Sequence, residues 1–327
     1  MLFDGMEFHN VEEMKETEKG YALLRLPKSV REQMNDGVKN SLASTGVEIR
    51  FKMKSDTINL YLCADLAEEA QPAYIFYGSF QGGWQNSSRM IGTEKTKLTI
   101  KRPDNLRDLK RMTRELELGF DPEVVRVILP YVNCFYVGRE GEVEVPEKEE
   151  MPDRVYLAYG SSITHGSLAL APVYTYPFRI AQKMNCDYIN LGFAGSAHME
   201  KVMAEYIVSR KDWDFASVEM GINMCNDNFT KEEFEERILE FVPVLNWDSR
   251  PIFATDIFGC NRLERQEKVT QYREIVKKHT GGTKLVYTCG LDLLDNPAYL
   301  SQDDTHPSLE GIQEITENWL KVMKKYV

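Results

Sequence analysis

Short apolar runs alternate with amphipathic segments from Val155 to the end of the chain. Five runs have the length and continuity of buried strands: VYLAYG (155–160), YINLGF (188–193), FASVEMG (215–221), PIFATDIF (251–258) and KLVYTCG (284–290). Helical spacing marks the segments 176–184, 231–245, 262–279 and 308–327. Apolar strands separated by helices are typical of a parallel sheet that is covered on both faces. We therefore predict a three-layer, doubly wound α/β domain over residues 151–327, with ligands at the carboxyl ends of its strands.

Residues 1–150 have a different pattern, with little helical periodicity. The runs typical of strands are VEIRFKM (47–53), TINLYLC (57–63), AYIFYGSF (73–80), KLTIKR (97–102) and VVRVILPY (124–131). Short strands split by turns favour an all-β sandwich, jelly-roll-like, as an accessory domain. Residues 15–34 are ambiguous and leave open a short helix. The charged segment 138–153, which contains two prolines, is interpreted as the linker between the two domains.

The net charge of the chain indicates which classes of partner it can bind. The 327 residues carry a formal net charge of −11, and 43% of them are hydrophobic. Such a surface would repel nucleic acid and anionic membranes, so we expect neither as a partner. A small-molecule or oligosaccharide substrate fits this balance, and the oligomeric state stays open.

The first twenty residues and the cysteines indicate the compartment. The N-terminus is acidic within four residues and lacks an apolar run of roughly 7–15 residues, so it does not resemble a secretory signal. No window approaches the roughly 20 apolar residues that a membrane span needs. The six cysteines are scattered, without metal-binding spacing. We expect reduced thiols and a cytoplasmic protein.

The segment YGSSITHG (159–166) places serines where a strand turns into a helix. A serine at such a turn can project its hydroxyl into the ligand cleft, and the helix N-terminus favours developing negative charge. The alternative is that Ser161, Ser162 and Thr164 only cap the helix. The segment does not match the G-x-S-x-G turn of α/β-hydrolases, because Thr164 stands at the last glycine position.

The segment DDTHPSLEG (303–311) follows the last predicted strand. Asp303 and His306 are three residues apart, so one loop can present a carboxylate that orients the imidazole of a general base. Asp304 competes with Asp303 for this role. Surface loops also produce Asp-x-x-His by chance, and only the position at the sheet edge favours a functional pair.

Two further strand ends carry glycine and asparagine, in NLGFAGSAHM (190–199) and MGINMCND (220–227). Acyl transfer needs hydrogen-bond donors for an oxyanion, and a backbone N–H at a glycine turn together with an asparagine amide supplies them. Taken separately, the glycine segment is more typical of an ordinary strand-to-helix turn, and the asparagine is more typical of a helix cap.

Together, the four segments resemble the conserved blocks of the SGNH (GDSL-type) hydrolase superfamily over residues 154–327. The resemblance assigns roles to five residues: nucleophile Ser162, general base His306, orienting acid Asp303, and the oxyanion donors Gly195 and Asn223 together with the Ser162 N–H. Ser161 departs from the family pattern, which has aspartate there. That aspartate is not the acid of the triad, so its replacement should affect loop bracing more than chemistry. Tyr176-Pro177 and NLGFAGSAHME are similar to the branch with an N-terminal β-sandwich, as in family 2 carbohydrate esterases.

The resemblance implies a serine esterase that removes O-acetyl or other short acyl groups, first of all from carbohydrates, without a metal or an organic cofactor. Trp84, His165 and His198 are the candidates for substrate contacts, and packing is the alternative for each. A lipid or thioester acyl hydrolase of the same superfamily is the first alternative function. A carbohydrate-binding protein with an inactive hydrolase domain is the second. A nucleotide-binding domain is disfavoured because no phosphate-binding loop is present.

Overall fold

Two antiparallel sheets are built from the N-terminal part of the chain. The description rests on a computed structural model and covers residues 1–39, 43–65, 71–84, 86–227 and 229–327. The first sheet contains β1 (Leu2–Phe3), β2 (Met6–His9), β5 (Glu48–Met53), β7 (Gln71–Tyr77), β8 (Phe80–Gln81), β9 (Ser88–Ile91), β11 (Val124–Ile128) and β13 (Val143–Glu144). The second contains β3 (Glu13–Thr17), β4 (Gly20–Leu24), β6 (Thr57–Asp65), β10 (Thr96–Lys101) and β12 (Asn133–Glu140). Their inner faces share one apolar core, as the sandwich prediction requires.

In the described part of the sandwich, short helices are α1 (Lys28–Arg31), α2 (Asp36–Lys39) and α3 (Leu106–Glu115). The first begins within the segment whose structure the sequence leaves open. The third was not predicted from the sequence. It buries only Leu109 and Thr113, which are four residues apart, so its apolar stripe is too narrow to stand out among charged neighbours.

The C-terminal part forms the predicted parallel sheet. Its strands are β14 (Val155–Gly160), β15 (Asp187–Gly192), β16 (Phe215–Glu219), β17 (Ile252–Thr255) and β18 (Val286–Thr288), in the order β15-β14-β16-β17-β18. Its helices are α4 (Ser162–His165), α5 (Tyr176–Met184), α6 (Lys201–Ser209), α7 (Ile222–Asn226), α8 (Lys231–Leu245), α9 (Gln266–Thr280), α10 (Gly290–Leu293) and α11 (Leu309–Met323). One apolar cluster packs α6, α8 and α9 on one face, and a second packs α5 and α11 on the other. The predicted three-layer, doubly wound fold is therefore confirmed.

The sandwich and the α/β part are in contact along β15. Val30 and Val38, from α1 and α2, belong to the same apolar cluster as residues of the parallel sheet. Beside this cluster, Arg50 of β5 contacts Asp187 of β15, and both side chains are at most 8% exposed. The shared core and the buried ion pair join the two parts.

The segment interpreted as a linker is partly in strands. β12 extends to Glu140, and β13 pairs with β5. Lys52 of β5 also contacts the carboxylate of Glu150 at 2.9 Å. The charged residues of this segment therefore pair with the sandwich.

No helix in the part of the chain that the structure describes is long and apolar enough to cross a membrane.

Candidate active site

Ser162 is the first residue of α4, directly beyond the carboxyl end of β14. The preceding residue, Ser161, is the N-cap, and its hydroxyl accepts a hydrogen bond from the Ile163 N–H at 3.1 Å. The chain turns this tightly because residue 160 is glycine. A Cβ there would lie 2.2 Å from Thr164 Oγ1. The sequence thus aims the Ser162 side chain out of the sheet edge at the start of a helix.

The Ser162 hydroxyl contacts the histidine of the last predicted segment. His306 Nε2 lies 2.8 Å from Ser162 Oγ. On the other side of the ring, His306 Nδ1 lies 2.6 Å from Asp303 Oδ2. Ser162, His306 and Asp303 therefore form one continuous hydrogen-bonded chain. Asp304 is exposed, and the contact with the ring comes from Asp303.

The carboxylate of Asp303 is held ionised by its surroundings. Burial acts to raise its pKa, but hydrogen bonds from the His306 backbone and ring, from the Ser301 hydroxyl and from the Thr305 N–H lower it well below its usual range. The Ser301 hydroxyl donates to Oδ1 at 2.7 Å and the Thr305 N–H at 3.0 Å. These bonds leave Oδ2 for the imidazole and fix its orientation.

The loop after β15, residues 193–197, lies next to the helix that begins with Ser162. Gly192 allows this approach, since a Cβ there would lie 2.2 Å from the His165 backbone nitrogen. Gly195 adopts a left-handed conformation with φ of +68°. The Ser196 N–H donates to the Phe193 carbonyl at 3.1 Å. The Gly195 N–H, in contrast, has no acceptor among the described residues, so it is available for a ligand.

Asn223 lies in the first turn of α7, after β16, and is 4% exposed. Its Oδ1 accepts a hydrogen bond from the Ala197 N–H at 3.0 Å. This bond fixes the amide so that its NH₂ group is the free end. The asparagine is thereby tied to the same 193–197 loop that carries Gly195.

A buried carboxylate behind the serine turn was not identified from the sequence. Glu219, the last residue of β16, accepts hydrogen bonds from the Ser161 N–H at 3.0 Å, the Ser161 hydroxyl at 2.6 Å and the Thr164 hydroxyl at 2.8 Å. Burial raises the pKa of Glu219, while these hydrogen bonds oppose the rise. Glu219 therefore braces the turn that presents Ser162. One charged residue within an apolar strand is the sequence signal that would have drawn attention to it.

The three predicted substrate contacts lie in different surroundings. His165 is 2% exposed, and its ring packs 4.4 Å from that of Tyr131. His198 Nε2 lies 3.1 Å from Asp227 Oδ2. Trp84 is fully exposed beside a surface groove of the sandwich. None of the three contacts Ser162 or His306 in the hydrogen bonds, ion pairs and ring contacts of the described residues.

No group of three or more His, Cys, Asp or Glu side chains is placed to hold a metal ion within the described ranges. The arrangement joins a hydroxyl, an imidazole and an ionised carboxylate, with free N–H donors nearby. Such an arrangement can transfer a proton from the hydroxyl as it attacks a carbonyl carbon, and it can stabilise negative charge on the carbonyl oxygen.

Solved structures with similar folds cover most of the chain. The salicylyl-acyltransferase SsfX3 from a tetracycline biosynthetic pathway has a TM-score of 0.77 at 17% identity, with 98% of this chain and 96% of that chain covered. A family two carbohydrate esterase from Clostridium thermocellum in complex with cellohexaose has a TM-score of 0.56 at 12% identity, covering 85% and 91%. The acetyl xylan esterase Est2A from the rumen bacterium Butyrivibrio proteoclasticus has a TM-score of 0.53 at 15% identity, covering 88% and 92%. These likenesses show the two-part fold.

Sequence comparison identifies the family. No curated protein sequence matches the chain. The model of the GDSL-like lipase/acylhydrolase family matches residues 154–324, which include every residue of the hydrogen-bonded chain. This match spans more than half of the protein, and the parallel sheet with its serine turn is the fold that the resemblance predicts. The chain belongs to the GDSL-like lipase/acylhydrolase family.

Proposed function

We propose that the protein is a serine esterase that hydrolyses O-acetyl and other short acyl esters, with carbohydrates as the first choice of alcohol. The observation that carries this proposal is the hydrogen-bonded chain from Ser162 Oγ through His306 to Asp303. A serine hydroxyl is a weak nucleophile unless a base removes its proton during attack. His306 is placed for this, and Asp303 orients the ring.

In the proposed reaction, Ser162 Oγ attacks the ester carbonyl carbon while His306 Nε2 takes the hydroxyl proton. The tetrahedral intermediate breaks its bond to the alcohol oxygen, and His306 returns the proton to that oxygen. An acyl-enzyme remains on Ser162. Water then attacks the acyl carbon with the same base, which releases the acid and restores the serine. Asp303 stays ionised and stabilises the imidazolium in both steps.

The backbone N–H groups of Ser162 and Gly195 and the amide of Asn223 are the proposed oxyanion donors. The free Gly195 N–H and the fixed orientation of the Asn223 amide support this role. Preorganised donors stabilise charge that develops only in the transition state, and the loss of one donor typically costs about 10²–10³ in kcat.

Two of the structures with similar folds support the choice of carbohydrate. One is named a carbohydrate esterase and is bound to cellohexaose, and one is named an acetyl xylan esterase. Trp84 offers an exposed indole on which a sugar ring of an extended substrate can stack. In this proposal, acyl transfer takes place at Ser162, and residues away from Ser162 recognise the alcohol part of the substrate.

Labelling by diethyl p-nitrophenyl phosphate, followed by peptide mass analysis, tests the reaction. We expect one phosphoryl group on Ser162, loss of esterase activity in step with labelling, and no labelling of Ser162→Ala. Labelling elsewhere, or hydrolysis that persists after full labelling, would contradict the proposed nucleophile. An unlabelled protein that binds acetylated oligosaccharides would instead indicate a carbohydrate-binding protein with an inactive hydrolase domain.

A longer or more apolar acyl group is the second candidate, and the loop after α4 favours it. Leu168 and Leu170 are 53% and 76% exposed, and both have left-handed backbone conformations, with φ of +60° and +62°. A leucine in this conformation costs about 1–3 kcal/mol, and residues with such strain cluster at active sites and ligand-binding sites. Rates on p-nitrophenyl acetate, butyrate and octanoate, and on acetylated xylan, separate the candidates. A rate that rises from acetate to octanoate, with no release of acetate from xylan, would favour the lipid or thioester hydrolase.

A further inference from the structure

The connection between β4 and β5 contacts the loop that carries Gly195. Arg25, which follows β4, and Asn35, which precedes α2, both reach backbone carbonyls at or next to the 193–197 loop. Sequence positions 25 and 35 belong to the sandwich part, about 160 residues away. The sandwich therefore touches the active-site region directly.

The Arg25 guanidinium is buried at the end of β15. Arg25 is 4% exposed, and it donates hydrogen bonds to the carbonyls of Asn190 and Gly192, each at 2.9 Å, and of Ala43 at 3.1 Å. Its guanidinium carbon lies 4.6 Å from the centre of the Phe193 ring. The Arg25 side chain thus holds the last residues of β15, immediately before the 193–197 loop.

Arg25 differs from the other buried arginines of the sandwich. Arg50 and Arg126 have carboxylate partners, Asp187 and Glu48. The acceptors of Arg25 among the described residues are backbone carbonyls, with His165 Nε2 at 3.3 Å. A buried cation without a carboxylate costs stability, although several carbonyl acceptors offset part of this cost. Packing alone does not account for a charged residue here.

Asn35 holds the far end of the same loop. Its Nδ2 donates to the Ser196 carbonyl at 2.8 Å and to Glu200 Oε1 at 2.6 Å. Its Oδ1 accepts from the Gly37 N–H at 3.0 Å, which fixes the amide orientation. The approach is close, because a Cβ on Gly37 would lie 1.9 Å from Ser196 Oγ.

We propose that Arg25 and Asn35 are positioning residues that clamp the 193–197 loop from both sides and so fix the direction of the Gly195 N–H. The inference rests on the proposed function, in which this N–H is an oxyanion donor. It means that the sandwich completes the catalytic site of the α/β part, because the donor is aimed by side chains from the sandwich. A donor that is misplaced by about 1 Å can lose most of its contribution to the rate.

Arg25→Met, Arg25→Lys and Asn35→Ala test this role in the full chain. Turnover of p-nitrophenyl acetate is expressed per site that diethyl p-nitrophenyl phosphate can label, so that unfolded molecules are not counted. We expect kcat to fall about 10–100-fold in Arg25→Met and Asn35→Ala, with KM within about twofold. Arg25→Lys, which keeps the charge and part of the hydrogen bonding, should recover part of the loss. The rate of phosphorylation at Ser162 should fall with kcat, since negative charge also builds up on the phosphoryl oxygen in the pentacoordinate transition state, where the same donors stabilise it.

Asn10→Ala is the matched control. Asn10 is also a buried residue of the sandwich, and it donates at 3.0 Å to the Asn190 carbonyl, which it shares with Arg25, but it contacts neither the Gly192 carbonyl nor the 193–197 loop. We expect an unchanged kcat in this variant. Equal kcat in wild type, Asn35→Ala and a folded Arg25 variant would overturn the inference. If Arg25→Met does not fold, the kcat values of Arg25→Lys and Asn35→Ala test the inference. Wild-type protein that is neither active nor labelled would refute the proposed function instead.

Discussion

The Arg50 guanidinium and the Asp187 carboxylate form a bidentate ion pair between the sandwich and the parallel sheet, with N–O distances of 2.6 and 2.7 Å. Arg50 is fully buried and also contacts Glu48 at 2.9 Å. Glu48 in turn accepts hydrogen bonds from Arg126. Four charges are thus buried at the contact between the two parts, and each has at least one opposite partner.

Asp187→Asn is expected to destabilise the protein by about 3–5 kcal/mol, because it leaves Arg50 buried with one carboxylate fewer. Urea unfolding, followed by circular dichroism, measures the change. Asp65→Asn is the control, since Asp65 and Lys19 form an exposed pair at 2.8 Å and exposed pairs contribute little. Similar unfolding midpoints for the two variants would show that the buried pair does not stabilise the fold.

The same network predicts loss of stability in acid. Burial raises the pKa of Glu48, but Arg126 and Arg50 outweigh this effect and lower it to about 2, from an ordinary value of 4.5. The pKa of Asp187 is also well below its usual range, through Arg50, despite burial. Between about pH 4.5 and 2 the unfolded chain binds more protons than the folded one, so stability falls as the pH falls. The free energy of unfolding at pH 6, 4.5 and 3.5 should therefore drop less steeply in Asp187→Asn than in the wild type. Parallel curves would contradict this assignment.

Much of the α/β sheet could be predicted because its strands are apolar throughout and its helices are amphipathic. β14 and α5 have the predicted bounds. The strand predicted over 251–258 ends at Thr255 instead. Ile257 and Phe258 are each 1% exposed, so the apolar run continues into a buried segment without regular secondary structure. The local sequence does not distinguish a buried strand from a buried segment without regular structure.

The Ser162, Gly195, Asn223 and His306 segments could be located because each follows a strand of one sheet, where parallel strands bring their carboxyl ends together. Glu219 ends β16 at the same edge and was overlooked, although a charged residue in an apolar strand is a sequence signal. Arg25 could not be found in this way. Arg25 acts on residues about 165 positions away and belongs to the other part of the fold. The local sequence around Arg25, LLRLP, does not indicate which residues this arginine contacts.

Ser162→Ala is expected to abolish ester hydrolysis, because the variant lacks the oxygen that attacks the carbonyl carbon. Ser161→Ala should keep much of the activity, since Ser161 contacts Glu219 and the α4 backbone rather than His306. It should cost about 1–3 kcal/mol of stability, because it removes both the helix cap and the hydroxyl hydrogen bond to the buried Glu219. Initial rates on p-nitrophenyl acetate and thermal unfolding of both variants measure these effects. Ester hydrolysis retained by Ser162→Ala would reject the nucleophile.

Asp303→Asn should lower kcat by about 10²–10⁴-fold, the range of a general-base contribution, because the amide no longer orients and stabilises the imidazolium. Asp304→Asn removes a carboxylate of the same loop that is exposed. Its kcat should remain close to that of the wild type. Steady-state kinetics over pH 5–9 compare the two variants, and an equal loss in both would exclude Asp303 as the specific partner of His306.

Gly195→Ala tests whether the left-handed turn in the 193–197 loop is needed for turnover. An added Cβ would meet no atom within 4 Å, so any effect comes from the backbone, whose φ is +68°. An alanine in this conformation costs about 1–2 kcal/mol, and the loop can relieve that strain by turning the N–H away from the oxyanion. We expect kcat to fall by about 10–100-fold with KM little changed.

Gly282→Ala is the matched control, because Gly282 has a φ of +77°, also has no atom within 4 Å of its Cβ position and lies in the turn after α9. Both variants should lose similar stability in urea, but only Gly195→Ala should lose turnover. A parallel loss of turnover in Gly282→Ala would mean that general destabilisation, rather than the direction of one N–H group, sets the rate.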